Sequence, residues 1–287
     1  GAGPKLQGEW ANFMEAVVAK GCDIRRLSHV DGWVPGFAPH PTQEKATLKV
    51  LAPVDYDDGT GKSVLRAYTK STSQNTNGHS LLLRLEYGST RILMTGDLNK
   101  RSMQAILKDI SPCDLACDVA KSCHHGSDDA SYQFLQAMGA SATVISSGDN
   151  EGHAHPRPTI VAASAQTGHV HIDNDEMRTP LVYSTEISRS IDIGKLHSVR
   201  DAKYAHGGTD IAVEITPKQS ARLDYEVVMA GDLNPKQKSR QFYRSTRVVD
   251  SVTYGLVNVR TDGKKILCAT LNEKKDKWEV ETFLSRF

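Results

Sequence analysis

No part of this 287-residue chain approaches 18 uninterrupted apolar residues, so neither a membrane-spanning helix nor a secretory leader is expected. Charge of one sign is not in excess either. Lys and Arg number 35 against 34 Asp and Glu, a net charge of +1, which removes a global basic field and leaves only a local patch as a route to nucleic acid. Cysteine is sparse: Cys22, Cys113, Cys117, Cys123 and Cys268 form an odd, scattered set. That excludes a disulfide framework and points to reduced thiols in a cytoplasmic setting. The spacing C-x3-C-x5-C at 113–123 lacks a second zinc-binding pair, so these cysteines read as buried structural thiols.

What is present is enough chain for a large core, as one α/β domain or one domain with an appendage. Residues 9–20 space Trp10, Phe13, Met14 and Val17 as a helix stopped by Gly21. Residues 22–54 read as short strands between Gly/Pro turns, and the polar stretch 55–77 as a long functional loop. A regular pattern follows. Leu81 to Tyr87 and Arg91 to Thr95 form a hairpin about Gly88-Ser89. Then come a helix at Met103 to Ile110, a strand at Leu115 to Ser122, a helix at Tyr132 to Met138, a strand at Thr143 to Ser146 and a helix from Pro158 to Gln166. This order implies a sheet with helices outside it and ligands gathered where loops leave the strand ends.

Beyond residue 166 the pattern weakens. Pro180 to Tyr183 is apolar, and Ser184 to Arg189 reads as a helix start. Ile211 to Ile215 and Tyr225 to Met229 alternate as strands, and Gln237 to Tyr243 is expected to be a short helix. The cations Lys236, Lys238, Arg240, Arg244 and Arg247 would then form a solvated face. Val257 to Val259 and Lys265 to Ala269 bracket a hairpin at Asp262-Gly263, and Trp278 to Phe283 is a last strand. Gly59 to Ser63 lacks the full G-x4-G-K-S spacing and a preceding apolar strand, so no nucleotide site is assigned.

Four short groups carry the chemistry: Asn-Gly-His-Ser at 77–80, Thr-Gly-Asp-Leu at 95–98, His-His-Gly-Ser at 124–127 and Gly-His-Ala-His-Pro at 152–156. Each ends or follows an apolar run that reads as a strand, which lines imidazoles and a carboxylate along one sheet edge. Such a set suits a divalent metal. Asp97 at a strand end can bridge two cations, or can simply be a helix N-terminal acid. His79 sits one hairpin arm away. His124 and His125 cannot both point the same way from an extended chain, so one is read as a ligand, His124, and the other as a contact to substrate. His153 and His155 alternate on a Gly/Pro-bounded loop, and either could reach the same cleft. A bound divalent ion lowers the pKa of its water to about 7, and a spare histidine such as His125, His153 or His155 can protonate a leaving group. Hydrolysis is the reaction class this set serves.

The blocks at 77–98, His-His-Gly-Ser, and Ile-Ser-Ser-Gly-Asp-Asn-Glu-Gly-His-Ala-His-Pro at 145–156 resemble the metallo-β-lactamase superfamily, nearest to the soluble half of the ComEC competence proteins and their stand-alone relatives. The resemblance covers roughly residues 45–165, with 167–287 supplying closing strands and an extension. It implies an αββα sandwich over residues 1–287 and two divalent metal ions, zinc or sometimes manganese. It also implies metal ligands at His79, Asp97 and His124 or His125, and nucleic acid or a nucleotide as substrate. The superfamily's main ligand motif, His-x-His-x-Asp-His, does not occur upstream of residue 77. His169-Val-His-Ile-Asp-Asn174 mimics it in the wrong place, as a circular permutation or as a coincidence of an alternating strand. The chain therefore resembles the fold without its first part, to be supplied by a second polypeptide if at all. A peptide or ester hydrolase on the same fold, and a non-catalytic scaffold that has lost its first metal motif, are the competing expectations.

Overall fold

A computed structural model describes residues 7–148, 155–187, 190–192, 196–201, 220–227, 236–243, 247–249, 253–272 and 276–287. In chain order its helices are α1 (Gly8–Ala19), α2 (Thr72–Gly78), α3 (Lys100–Asp109), α4 (Pro112–Leu115), α5 (Tyr132–Met138) and α6 (Pro158–Thr167). Its strands begin with β1 (Thr47–Ala52), β2 (Asp55–Asp57), β3 (Ser63–Leu65), β4 (Leu82–Tyr87), β5 (Thr90–Met94), β6 (Val119–Lys121), β7 (Ala142–Ile145), β8 (His171–Asp173), β9 (Glu176–Thr179) and β10 (Leu181–Ser184). They continue with β11 (Ser190–Asp192), β12 (Leu196–Asp201), β13 (Ser220–Val227), β14 (Lys236–Tyr243), β15 (Arg247–Val249), β16 (Val257–Thr261), β17 (Lys265–Asn272) and β18 (Lys277–Leu284).

A six-stranded mixed sheet in the order β1-β4-β5-β6-β7-β10 organises the chain as α/β. The β4–β5 hairpin is antiparallel, whereas β5, β6, β7 and β10 run parallel. Parallel neighbours need crossovers, which α3 with α4, α5, and α6 supply in turn. The period of two along each strand then divides the core. Leu93 and Ala120 pack with Met103 and Ile106 of α3, Leu115 of α4, Phe134 of α5 and Ile160 of α6. Their neighbours Ile92 and Val119 pack the other way, with Ile266, Cys268 and Phe283 of the three-stranded sheet β16-β17-β18. The layering is helices, sheet, second sheet. Each large aliphatic or aromatic side chain buried this way contributes about 1.5–3 kcal/mol. All the parallel strands thus deliver their C-terminal ends, and β4 its N-terminal end, to one edge.

Several local expectations change. Residues 55–77 are not a structureless loop: β2 and β3 pair, with the Gly59–Gly61 turn held by the Asp57 carboxylate, and α2 follows. Polar side chains make that structure, with Ser71 capping α2 and Asn75 accepting from the N–H groups of Tyr68 and Thr69. Residues 22–54 hold one strand of the sheet and a short 3-10 turn at His29–Asp31, with Trp33 bridging to Lys49. Of the strand expected at Leu115 to Ser122, Leu115 closes α4, started by the Ser111 cap and Pro112, and Val119–Lys121 forms β6. Gln237 to Tyr243 is strand β14, because eight residues pair with β13 and tertiary pairing outweighs local preference. Ser184 ends a strand and starts no helix. The α1 helix forms, but Trp10 stacks on Phe13 and both stay more than half exposed. Cys117, Cys123 and Cys268 are buried thiols, whereas Cys113 is exposed. Residues 211–215 and Arg244 lie outside the described residues.

Candidate functional site

The site is built where β5, β6 and β7 end. Beyond β5, Thr95 is fully buried and donates to the Lys121 carbonyl at 2.8 Å, and Gly96 turns with φ +55°. Asp97 follows, its backbone N–H donating to Ser80 Oγ at 2.9 Å. Leu98 is fully buried and Asn99 caps α3 through a reciprocal pair with Ser102. The Asp97 backbone is therefore pinned on both sides while its side chain stays 39% exposed at the edge.

Beyond β6 the chain leaves Lys121, passes buried Ser122 and Cys123, and places His124 and His125 consecutively in the left-handed region, at φ +46° and +53°. Left-handed backbone costs an L-residue about 1–2 kcal/mol, so two in succession store strain of the kind found at functional sites. This conformation removes the constraint that an extended chain would place on adjacent histidines, and both rings turn toward the edge. The His124 N–H donates to the Gly96 carbonyl at 3.1 Å, which ties this turn to the one that carries Asp97. Gly126, at φ +80°, lies under Pro156, where a Cβ would meet the Pro156 Cβ at 2.7 Å. The 155–157 segment is laid across the turn, with the Arg157 N–H donating to the Gly126 carbonyl. Beyond β7 and β10, Ser147 and Thr185 are bonded to each other, and Ser147 Oγ donates to the His155 carbonyl at 2.8 Å.

The contacts inside this frame are specific. His125 Nδ1 lies 2.8 Å from the Ser146 carbonyl, which can only accept, so Nδ1 carries a proton. In the neutral ring Nε2 is then a bare lone pair, and it faces Asp97 Oδ1 at 3.4 Å. Two acceptors face one another there. Either a proton on Nε2 or a cation shared by both resolves the contact. Lys121 Nζ is 4.0 Å from the same carboxylate oxygen while donating to the Gly96 and Ser122 carbonyls. His124 and His155 meet edge-to-face with ring centres 5.9 Å apart, and His155 is 6% exposed. His124 Nε2 lies 3.3 Å from the Asn77 amide, and its Nδ1 is buried with no hydrogen-bond partner among the described residues.

Of the residues expected from sequence, the structure thus brings Asp97, His124, His125 and His155 to one edge. The ring of His79 is engaged elsewhere: it closes α2, its Nε2 sits 2.9 Å from the Arg66 carbonyl, and it packs against Tyr68. His153 lies outside the described residues. His171 and Asp173 belong to the small β8–β9 hairpin, and the His169 N–H bonds the Ala140 carbonyl at the start of β7, the end remote from Asp97. Sequence reading passed over Asn77, Ser80 and Lys121. Asn77 and Ser80 lie within the quoted tetrapeptide, whose histidine drew the attention. Lys121 reads as a strand residue until the register places it beside Asp97.

The donor chemistry fits a divalent cation in part. Asp97, His125 and His124 offer oxygen and nitrogen donors of the right kind. Among the described residues, however, no three His, Cys, Asp or Glu side chains are grouped closely enough to hold an ion as they stand. Among the described residues there is also no helix long and apolar enough to cross a membrane. No family model matches the chain. Over 86 residues, 30% of the chain, it is 33% identical to ComE operon protein 3 of Bacillus subtilis (strain 168), and that stretch spans 11% of the relative's length. The chain shares a partial similarity with a competence-operon protein.

Proposed function

We propose that this chain is a metal-dependent hydrolase on a metallo-β-lactamase-like αββα framework, acting on phosphodiesters of nucleic acid or nucleotides. The observation that carries this reading is the contact between Asp97 and His125, a carboxylate oxygen 3.4 Å from an imidazole Nε2 on a left-handed turn. The layering of helices, sheet and second sheet supports the framework, and the partial likeness to a competence-operon protein agrees with the resemblance found in the sequence.

On this reading Asp97, His125 and His124 would hold zinc or manganese, with further ligands from a second polypeptide. A bound divalent ion supplies a hydroxide at neutral pH and polarises the scissile phosphoryl oxygen. The Ser146 carbonyl fixes the His125 tautomer, and Ser80 fixes the direction of Asp97 through its backbone. Lys121 places an ammonium beside the carboxylate, where it steadies the negative charge of a phosphodiester, and Lys100 and Arg101 open α3 three residues beyond Asp97. His155 meets His124 edge-to-face and is the imidazole assigned to return a proton to a leaving oxygen.

The test is turnover of DNA, RNA and a casein-type protein with added zinc or manganese, with and without chelator. Cleavage of nucleic acid that chelator abolishes is expected, and Asp97→Ala should lower it at least about 100-fold with the melting curve retained. Turnover of protein alone overturns the substrate, and wild-type rates in Asp97→Ala overturn the role of Asp97. A second reading, a non-catalytic scaffold, is favoured by Lys121, which at 4.0 Å offers Asp97 a cationic partner without any metal. Elemental analysis separates the two: a folded chain that retains no divalent ion after incubation with zinc or manganese belongs to the scaffold reading.

A further inference from the structure

We infer that a cavity at the end of β5 away from Asp97 is a binding site for a small phosphate monoester, whose dianion Arg91 and Lys45 take and whose organic group rests on the Phe287 ring. The site is independent of the metal-dependent reading above.

Strand register assembles the cavity. Thr47 of β1 pairs with Glu86 of β4, and Glu86 with Arg91 of β5, so three polar side chains stand side by side on one face of the sheet. With the Gly88-Ser89 turn, Lys45 and Phe287 they line a space of about 470 Å³. The turn is fixed from below: the Ser89 N–H donates to the Gly263 carbonyl, and the Ser89 carbonyl accepts from Ser285 Oγ at 3.0 Å. Arg91 lies near the start of β5, whereas Asp97 lies beyond its other end.

The charge of this lining is positive. Arg91 Nε lies 3.3 Å from Glu86 Oε1, the same oxygen that Arg84 Nε approaches at 3.1 Å, so the acidic side chain of the cavity is shared by two guanidinium groups. Arg84 and Lys49 in turn share Asp114. Three cationic side chains against two carboxylates leave this network one positive charge. Lys45 adds another: its ammonium donates to the Gly36 carbonyl at 3.2 Å and has no carboxylate partner among the described residues. A dianion balances such a lining, and a phosphate monoester carries about −1.5 to −2 at pH 7. Its oxygens also suit a guanidinium fork, an ammonium and the hydroxyls of Thr47 and Ser89.

Arg91 is held in place before any ligand arrives. Its guanidinium carbon lies 4.0 Å from the centre of the Phe287 ring, and its side chain is 29% exposed. With Nε turned to Glu86, its terminal nitrogens have no hydrogen-bond partner among the described residues. A guanidinium fixed in this way loses little freedom on gripping an oxyanion. The partly exposed Phe287 ring and Pro39 set apolar surface next to the cations, which an ester's organic group can cover and inorganic phosphate cannot.

Isothermal titration calorimetry of the metal-free chain with phenyl phosphate tests the site. Saturable binding is expected, weakened at least about 10-fold in Arg91→Ala. A smaller loss is expected in Lys45→Ala, whose hydrogen bond to a carbonyl can be removed with the fold retained. Arg91→Lys, which keeps the charge and loses the fork, should recover part of the affinity. Benzoate, with the same ring and a single charge, and inorganic phosphate, with no ring, should both bind more weakly than phenyl phosphate. Absence of saturable binding, or an affinity unchanged in both Arg91→Ala and Lys45→Ala, overturns the site. Benzoate bound as tightly as phenyl phosphate overturns the dianion, and inorganic phosphate bound as tightly overturns the ester and leaves the ion itself as the ligand.

Discussion

Both ends of the central sheet carry a carboxylate next to a strand, and the two are held in opposite ways. Asp118, just before β6, is fully buried, and its oxygens accept from the Arg91 N–H at 3.0 Å, Ser285 Oγ at 3.0 Å and the Arg286 N–H at 3.1 Å. Arg286 also donates to the Cys117 and Met138 carbonyls, so the end of the chain is latched onto the sheet. Asp97, just after β5, has a pinned backbone and a more exposed side chain: 39% exposed, 3.4 Å from His125 Nε2 and 4.0 Å from an ammonium, beside a turn with two left-handed histidines. A carboxylate whose lone pairs are filled by backbone donors is part of the scaffold. Asp97 instead has only side-chain partners at its exposed carboxylate, an imidazole nitrogen and an ammonium. The difference teaches that residue type alone does not tell a carboxylate built into the scaffold from one left at an exposed edge, whereas its backbone donors do.

The sharpest way to break this comparison is to delete each carboxylate. Asp118→Ala takes the acceptor from the Arg91 and Arg286 N–H groups, while Ser285 Oγ keeps the Ser89 carbonyl, and should cost about 3 kcal/mol, or roughly 6–12 °C in Tm. Asp97→Ala should move Tm by little more than a degree while removing activity. Equal losses of stability in the two variants would show that both ends are scaffold.

A smaller effect sharpens the link between backbone and site. In Gly96→Ala a Cβ would lie 2.6 Å from Ser80 Cβ at φ +55°, so the left-handed conformation and the crowding together should cost about 1–2 kcal/mol. Because Ser80 Oγ receives the Asp97 N–H, the same variant should weaken zinc binding; destabilisation with unaltered zinc affinity would detach Ser80 from the site.

The strand-and-helix order of residues 82–167 was readable because its apolar periods are long and clean, and α5 falls on the expected residues. What was not readable depended on partners. β14 carries a helix-like composition and becomes a strand only by pairing with β13, and α2 is assembled from side-chain caps that no apolar period announces. At the site, Asp97 and the His124–His125 pair were visible as turn residues after strands. The role of Lys121 depended on register, and the diversion of His79 to the Arg66 carbonyl on how α2 ends. The left-handed turn that carries both histidines at the sheet edge is likewise a tertiary result, held by Gly126 beneath Pro156 and by the bond from His124 to Gly96.

The smallest effect tests the scaffold end by pH. His169, which the sequence offered as part of a displaced ligand motif, sits near Arg286 and Asp118 rather than near Asp97. Burial first, then the charges of Arg286 and His171, hold its imidazolium below the ordinary 6.5, with Asp118 opposing. A base depressed in the folded chain takes up its proton more readily when unfolded. The stability it contributes is therefore complete above about pH 6.5 and is lost as the pH falls through the lowered folded value. Urea unfolding at pH 7.5 and 5.5 should show the wild-type chain losing more stability on acidification than His169→Gln. An identical loss in both would place His169 in solvent, whereas a metal-binding role for His169 predicts something the scaffold role does not, a change in zinc affinity at pH 7.5 where both forms of the ring are neutral.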